Sequence, residues 1–231
     1  MRINKDTEIT EGNFQRPTFL VAIPTLGMVP IEFMLAFGRL AMPMNCSAST
    51  MIVSKTEIGV ARNMVAKNAL NIKPRPKYIL FIGDDMLPPW DGVIKIWKEM
   101  EEDQTWDILG GLYHIKQDTP VPIIWRDDTK GWLEPFVHYN PGEVVQCNII
   151  GMDFTMIRTE IFEKIKEPWF KTGPTTKEEY EKIFCPVNLQ EYYNHTEDVW
   201  FCHLAKQAGL KIGIHTDVRV GHLMIKTGEI Y

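Results

Sequence analysis

The sequence predicts an α/β protein with a Rossmann-like, doubly wound mixed sheet in a single domain. Three observations carry this. Two continuous apolar runs, Thr18–Ile23 and Tyr78–Ile82, lack the in-and-out alternation of a half-exposed strand and read as strands covered on both faces. Segments of helical spacing separate the strands, which implies right-handed crossovers. The chain has 231 residues, 45% of them hydrophobic and 24% charged, which suits one globular core and excludes low-complexity disorder.

The first strand stops at Pro24. Ile31–Leu40 then reads as a helix, Thr50–Val53 as a strand, and Glu57–Leu70 as a helix whose Ile58, Ala61, Val65 and Ala69 recur near helical spacing. Pro74 and Pro76 mark a loop before Tyr78–Ile82, which runs straight into Gly83-Asp84-Asp85. Beyond Asp85 the period changes. Pro89–Met100 is predicted as a helix, and Ile108–His114, Val121–Trp125 and Glu143–Asn148 as strands. Arg158–Ile165 and Glu197–Ala208 read as helices, the second capped by Gly209, and Lys211–His215 and Val218–His222 as closing strands. The polar, aromatic-studded stretch Lys166–Thr196 is expected to be a mobile lid.

A formal net charge of −5 supplies no global electrostatic reason for binding nucleic acid or anionic membrane. Four cysteines (Cys46, Cys147, Cys185, Cys202) without a CxxC pair suggest neither a zinc knuckle nor a disulfide framework. The polar Met1–Arg16 stretch is unlike a secretory signal, and the longest uncharged run, Phe19–Ile31, is too short to cross a bilayer, so a cytoplasmic protein is expected. No GxGxxG follows the first strand, which disfavours a dinucleotide-binding enzyme.

Open α/β sheets bind ligands outside the carboxyl ends of their strands, and Asp84 and Asp85 stand where one strand ends. The pair reads either as a solvated turn or as hard oxygen ligands for Mg²⁺ or Mn²⁺. Glu197-Asp198 opens the last helix, where acidic residues also suit the macrodipole. His114, His195 and His222 likewise fall at element ends, where a site assembled from loops needs them. Trp125, Trp132, Trp169, Tyr192 and Tyr193 are either core residues or platforms for sugar stacking, and Met28, Met34, Met42, Met44 and Met51 are expected to fill gaps in the core.

Several stretches together resemble the GT-A glycosyltransferases, in particular the small family 2-like members found in viruses, bacteria and archaea. Phe19–Thr25 is similar to the first strand and nucleotide loop, Ile58–Asn63 to the Arg-Asn element facing the nucleotide, and Tyr78–Pro89 to the strand carrying Asp-x-Asp. His195–Cys202, Ala208–Ile212 and Val218–Leu223 resemble the Glu-Asp helix, its Gly-capped end and the terminal Gly-His, and Val144–Ile161 the acceptor-side strand and helix. One departure stands out: Gly83 occupies the place of the first Asp of Asp-x-Asp.

The resemblance implies a nucleotide-sugar-binding half over about 17–113 and an acceptor-binding, catalytic half over about 114–223. It implies a nucleoside-diphosphate sugar as donor and Mn²⁺ or Mg²⁺ held by Asp85 and His222, with Pro24, Thr25, Arg62 and Asp84 on the nucleotide and diphosphate. Asp198 is the expected general base of an inverting transfer to an acceptor hydroxyl, with Glu197 as the alternative or as an orienting group. The acceptor is left open among glycans, small molecules, proteins and modified DNA bases. Two rivals stand beside it: a metal-dependent nuclease or phosphatase, and a non-catalytic nucleotide-sugar-binding module on the same fold.

Overall fold

A computed structural model describes residues 19–44, 46–127, 133–173 and 195–231. Seven strands form one mixed sheet in the order β2-β1-β3-β9-β5-β10-β8. β1 (Phe19–Thr25) lies between β2 (Ala48–Ser54) and β3 (Tyr78–Ile82), parallel to both. β10 (Ile212–Arg219) runs parallel to β5 (Ile108–Leu112), and β8 (Val144–Gln146) closes that edge antiparallel. Two short ribbons flank the sheet: β4 (Met86–Leu87) with β11 (Gly221–His222), and β6 (Trp125–Asp127) with β7 (Leu133–Pro135).

The apolar runs are covered on both faces, as their lack of alternation requires. Along β3, Tyr78, Leu80 and Ile82 pack into one core with Phe33 of α1 (Ile31–Gly38) and Val93, Ile96 and Met100 of α3 (Gly92–Glu102). Ile79 and Phe81 turn to the opposite core. There they meet Ala61, Val65, Ala66 and Ala69 of α2 (Ile58–Asn71) and Phe201, Cys202 and Ala205 of α4 (Glu197–Gln207). The small residues of α2 let that helix lie close to the sheet.

The segment expected as a helix over Arg158–Ile165 is instead the end of a strand, β9 (Phe154–Arg158), followed by a single 3-10 turn, Thr159–Glu163. β9 runs antiparallel between β3 and β5 in the middle of the sheet. Its five residues are all buried, so no alternation marks them, and Arg158 ends the strand by donating to the carbonyls of Trp106 and Met100. The two closing strands expected at Lys211–His215 and Val218–His222 are one long β10, irregular in pairing after His215, and the short β11.

The expected methionine core divides. Met42 and Met51 pack against the core, but Met28, Met34 and Met44 are exposed on and around α1. Of the expected lid, residues 174–194 lie outside the described residues, as do Trp132, Tyr192 and Tyr193. Before them, Trp169 and Phe170 belong to the core. Trp169 is buried with its indole N–H shared between the carbonyls of Phe162 and Ile165, so it is no sugar platform, and Phe170 stacks on Phe201 at 4.5 Å. Gly173 N–H donates to the His195 carbonyl, which brings together the chain before and after 174–194.

Candidate active site

The parallel strands β1, β3, β5 and β10 all end on one edge of the sheet, and β9, being antiparallel, starts there. This topology gathers Thr25, Asp84, Asp85, Tyr113, Asp153 and His222 from distant parts of the sequence, at the place where open α/β sheets bind ligands.

Thr25 closes β1. Its hydroxyl accepts from Gly27 N–H at 3.0 Å, its carbonyl accepts from Lys55 N–H, and it hydrogen-bonds the Asp84 carboxylate. Burial raises the Asp84 carboxyl above its ordinary value, opposed by Thr25 and reinforced by the neighbouring Asp85 charge. Pro24 is buried within the same strand.

Asp85 faces the other way. Its carbonyl accepts from Leu223 N–H, and the β4–β11 ribbon pairs Met86 with His222, so the C-terminal Gly-His is bound to the turn after β3. His222 Nδ1 lies 2.8 Å from the His114 carbonyl. A carbonyl only accepts, so Nδ1 carries a proton, and Nε2 faces Asp85 Oδ2, 3.5 Å away. An imidazole nitrogen facing a carboxylate is an arrangement that a proton or a shared cation satisfies. The carbonyl-anchored ring is also how metal-ligating histidines are commonly held. Lys116 also donates to Asp85 Oδ2. Burial alone raises the Asp85 carboxyl, but His222 and Lys116 outweigh it and hold the group below its usual range.

Among the described residues no three His, Cys, Asp or Glu side chains cluster as a closed metal cage. Two ligands with open positions are nonetheless what a cation bridging to phosphate oxygens requires, since Mg²⁺-type sites take one or two carboxylates plus substrate oxygens and water. The residues therefore fit the group.

The acidic pair on α4 divides. Glu197 is buried and bonded to the guanidinium of Arg62, whose other terminal nitrogen reaches Asp153 Oδ1 at 2.7 Å. Burial raises Glu197, Arg62 opposes that, and Asp198 and Asp153 reinforce it; the outcome is an acid pushed up to about 7. Asp198 is half-buried at the start of α4, taking the Thr196 hydroxyl and Val199 N–H, and burial raises it too.

Arg62 corrects the expectation that it grips a diphosphate. Only 2% exposed, it is held inside the protein by two carboxylates. The preceding turn explains how: a Cβ at Gly59 would lie 3.3 Å from Glu197 Cβ, so the starts of α2 and α4 nearly touch. Asn63 also points inward, where its amide oxygen accepts from Trp169 and Phe170 N–H and its amide nitrogen donates to the Phe170 carbonyl.

Asp153 and Lys116 are residues that the sequence reading missed. Asp153 explains the departure at Gly83: a Cβ there would stand 3.0 Å from Asp153 Cβ, and Gly83 N–H donates to the Asp153 carbonyl. A side chain at position 83 would press on Asp153, the residue just before β9, which brings a carboxylate to this place. An Asp immediately before the apolar run Phe154-Thr-Met-Ile157 was the available signal. Tyr113 joins the two halves of the site, its hydroxyl 3.5 Å from Asp153 Oδ2 and its ring edge-on to His222 at 5.4 Å. A polar strip thus runs from Asp85 and His222 through Tyr113, Asp153 and Arg62 to Glu197 and Asp198. Beside it opens a cavity of about 330 Å³ lined by His114, Tyr139, Arg219 and Tyr231 among others.

This mixed sheet has the GT-A fold. Among solved structures, the chain is similar to A197 from STIV, at 19% identity and a TM-score of 0.58 over 90% of this chain and 86% of that one. It is also similar to GalNAc-T7, crystallised with UDP, GalNAc and Mn²⁺, at 11% identity and a TM-score of 0.58 over 89% of this chain but only 43% of that one. At these identities the likeness is one of fold. No protein-family model matches the chain, and no curated protein matches its sequence. No described helix is long and apolar enough to cross a membrane.

Proposed function

We propose that this protein is a divalent-cation-dependent glycosyltransferase that moves a sugar from a nucleoside-diphosphate sugar to an acceptor hydroxyl with inversion. The observation that carries the reading is the meeting of Asp85 with His222, its Nε2 turned toward the carboxylate, on the same edge as the Thr25–Asp84 contact and the acidic start of α4. Asp85 and His222 would hold Mn²⁺ or Mg²⁺, which when bound neutralises charge developing on the departing diphosphate. Pro24, Thr25 and Asp84 form the nucleotide side. GalNAc-T7, crystallised with UDP and Mn²⁺, supports a uridine nucleotide as the first donor to try.

In the transfer, the acceptor oxygen forms a bond to the anomeric carbon while the bond from that carbon to the phosphate oxygen breaks, and the acceptor proton passes to a carboxylate. Asp198 takes that role. It is partly exposed where Glu197 is buried, and burial makes it a stronger base than an ordinary aspartate. Glu197, tied to Arg62, fixes the start of α4 and so the position of Asp198.

Calorimetry with Mn²⁺ and UDP, followed by a screen of UDP-sugars for release of free UDP, tests the reading. Wild-type protein should bind UDP only with the cation, and Asp85→Ala should lose cation and nucleotide together. Unchanged affinities in Asp85→Ala overturn it, and cleavage of phosphodiesters with indifference to sugar nucleotides turns the reading to a nuclease.

A further inference from the structure

We propose that Lys116 is an exchangeable counter-ion of the cation site: its ammonium neutralises Asp85 until a divalent cation displaces it, and the displaced group then pairs with the nucleotide's diphosphate. The inference rests on the reading of Asp85 and His222 as cation ligands, and goes beyond it by assigning a residue that neither motif nor fold supplies.

The geometry points there because one atom serves two partners. Lys116 donates to Asp85 Oδ2, the same oxygen that His222 Nε2 faces at 3.5 Å. The pair is sheltered, with side chains 18% and 23% exposed, so the ammonium is a specific partner rather than a passing surface contact. Without it, Asp85 would stand partly buried with only His222 beside it, and an undercompensated buried charge is costly. A cation on Asp85 Oδ2 and His222 Nε2 removes that need and repels the ammonium at close range.

The mounting of Lys116 permits the exchange. It follows β5 on a bridge in which His114 pairs with Pro122 and Ile115 N–H donates to the Val121 carbonyl. The carbonyl of His114 orients His222, so one short segment both builds the cation site and carries its substitute charge. Lysine is suited to such a role because it is a compact charge on a flexible stem, without the fixed fork that ties arginine to one carboxylate. Displaced, it stays beside the cation, where phosphate oxygens bound to that cation must lie.

The test is calorimetry on the intact chain in two stages, with Mn²⁺ alone and then with UDP at saturating Mn²⁺. Lys116→Met should bind Mn²⁺ about tenfold more tightly than wild type, because no resident charge competes, and should then bind UDP about tenfold more weakly, because the exchanged partner is missing. Opposite-signed shifts are not the mark of mere misfolding. Lys116→Gln repeats the comparison with a polar side chain, and Lys116→Arg should recover most of the UDP affinity. Manganese affinity in Lys116→Met that equals or falls below wild type, where wild type does bind the ion, overturns the exchange and leaves the cation site standing. If neither protein binds Mn²⁺, the cation reading itself fails and this proposal with it.

Discussion

Replacing Arg62 by Met isolates what holds the acidic helix in place. The substitution keeps most of the stem and removes the charge, leaving Glu197 buried and Asp153 partly buried without their shared partner. Breaking a buried ion pair from one side costs about 3–5 kcal/mol. For a chain of this length each kcal/mol lowers the melting temperature by about 2–4 °C, so a fall of roughly 10 °C is expected at pH 8. The sign of the pH dependence follows from Glu197. Its carboxyl is pushed from 4.5 to about 7 in the folded protein, so the fold binds a proton that the unfolded chain releases; that contribution is complete below 4.5 and is lost as pH rises through 7. A shift of this size corresponds to about 3 kcal/mol. Without Arg62 the carboxyl climbs further, so at pH 5 it stays protonated and the variant should lose far less. Thermal melts of wild type, Arg62→Met and Arg62→Met/Glu197→Gln at pH 5 and 8 provide the measurement, with the double variant expected to recover a large part of the loss at pH 8. Equal losses at both pH values, or no recovery in the double variant, would show that Arg62 acts by packing alone and refute the charge argument.

Asp198→Asn should leave Mn²⁺ and UDP affinities nearly intact while sugar transfer falls by roughly 10²–10⁴-fold, because a general base acts in the transition state; transfer at the wild-type rate sinks the assignment. Gly111→Ala should destabilise the fold by about 1–3 kcal/mol in chemical denaturation, because its Cβ would stand 2.8 Å from Val220 and 2.9 Å from Phe154 in the packed core, and an unchanged midpoint would contradict the contact.

What the sequence made legible depended on how far each signal was local. β1 and β3 announce themselves because burial on both faces leaves an uninterrupted apolar run, and Asp84, Asp85 and His222 were legible because they stand where such runs end. β9 was not legible. Five buried residues beside a polar flank fit a helix as well as a strand, and nothing local says that a strand will insert antiparallel between β3 and β5. Arg62 was misplaced although its position was visible: it lies four residues after Ile58 and three before Val65, on the apolar face of α2, and a charged residue there must find a buried partner. That partner, Glu197, lies 135 residues away. Lys116 left no trace at all, since only the fold brings it to Asp85.

The same non-local logic brings acid to this edge although Gly83 precedes the Asp84-Asp85 pair. Asp153, just before β9, crowds position 83, and its carboxylate stands beside that glycine. Asp84, Asp85, Asp153, Glu197 and Asp198 then meet Arg62 and Lys116 along one strip, and even with the Glu197 carboxyl protonated the negative groups outnumber the positive. Such an excess is tolerated at a partly buried edge only when hydrogen bonds, retained protons or a bound cation answer it. Thr25 answers at Asp84, a raised acid at Glu197, and Lys116 at Asp85. Of these, Lys116 is the one an incoming divalent cation can replace, which is why the proposed cation site falls at Asp85 and not at Glu197, which is buried and tied to Arg62.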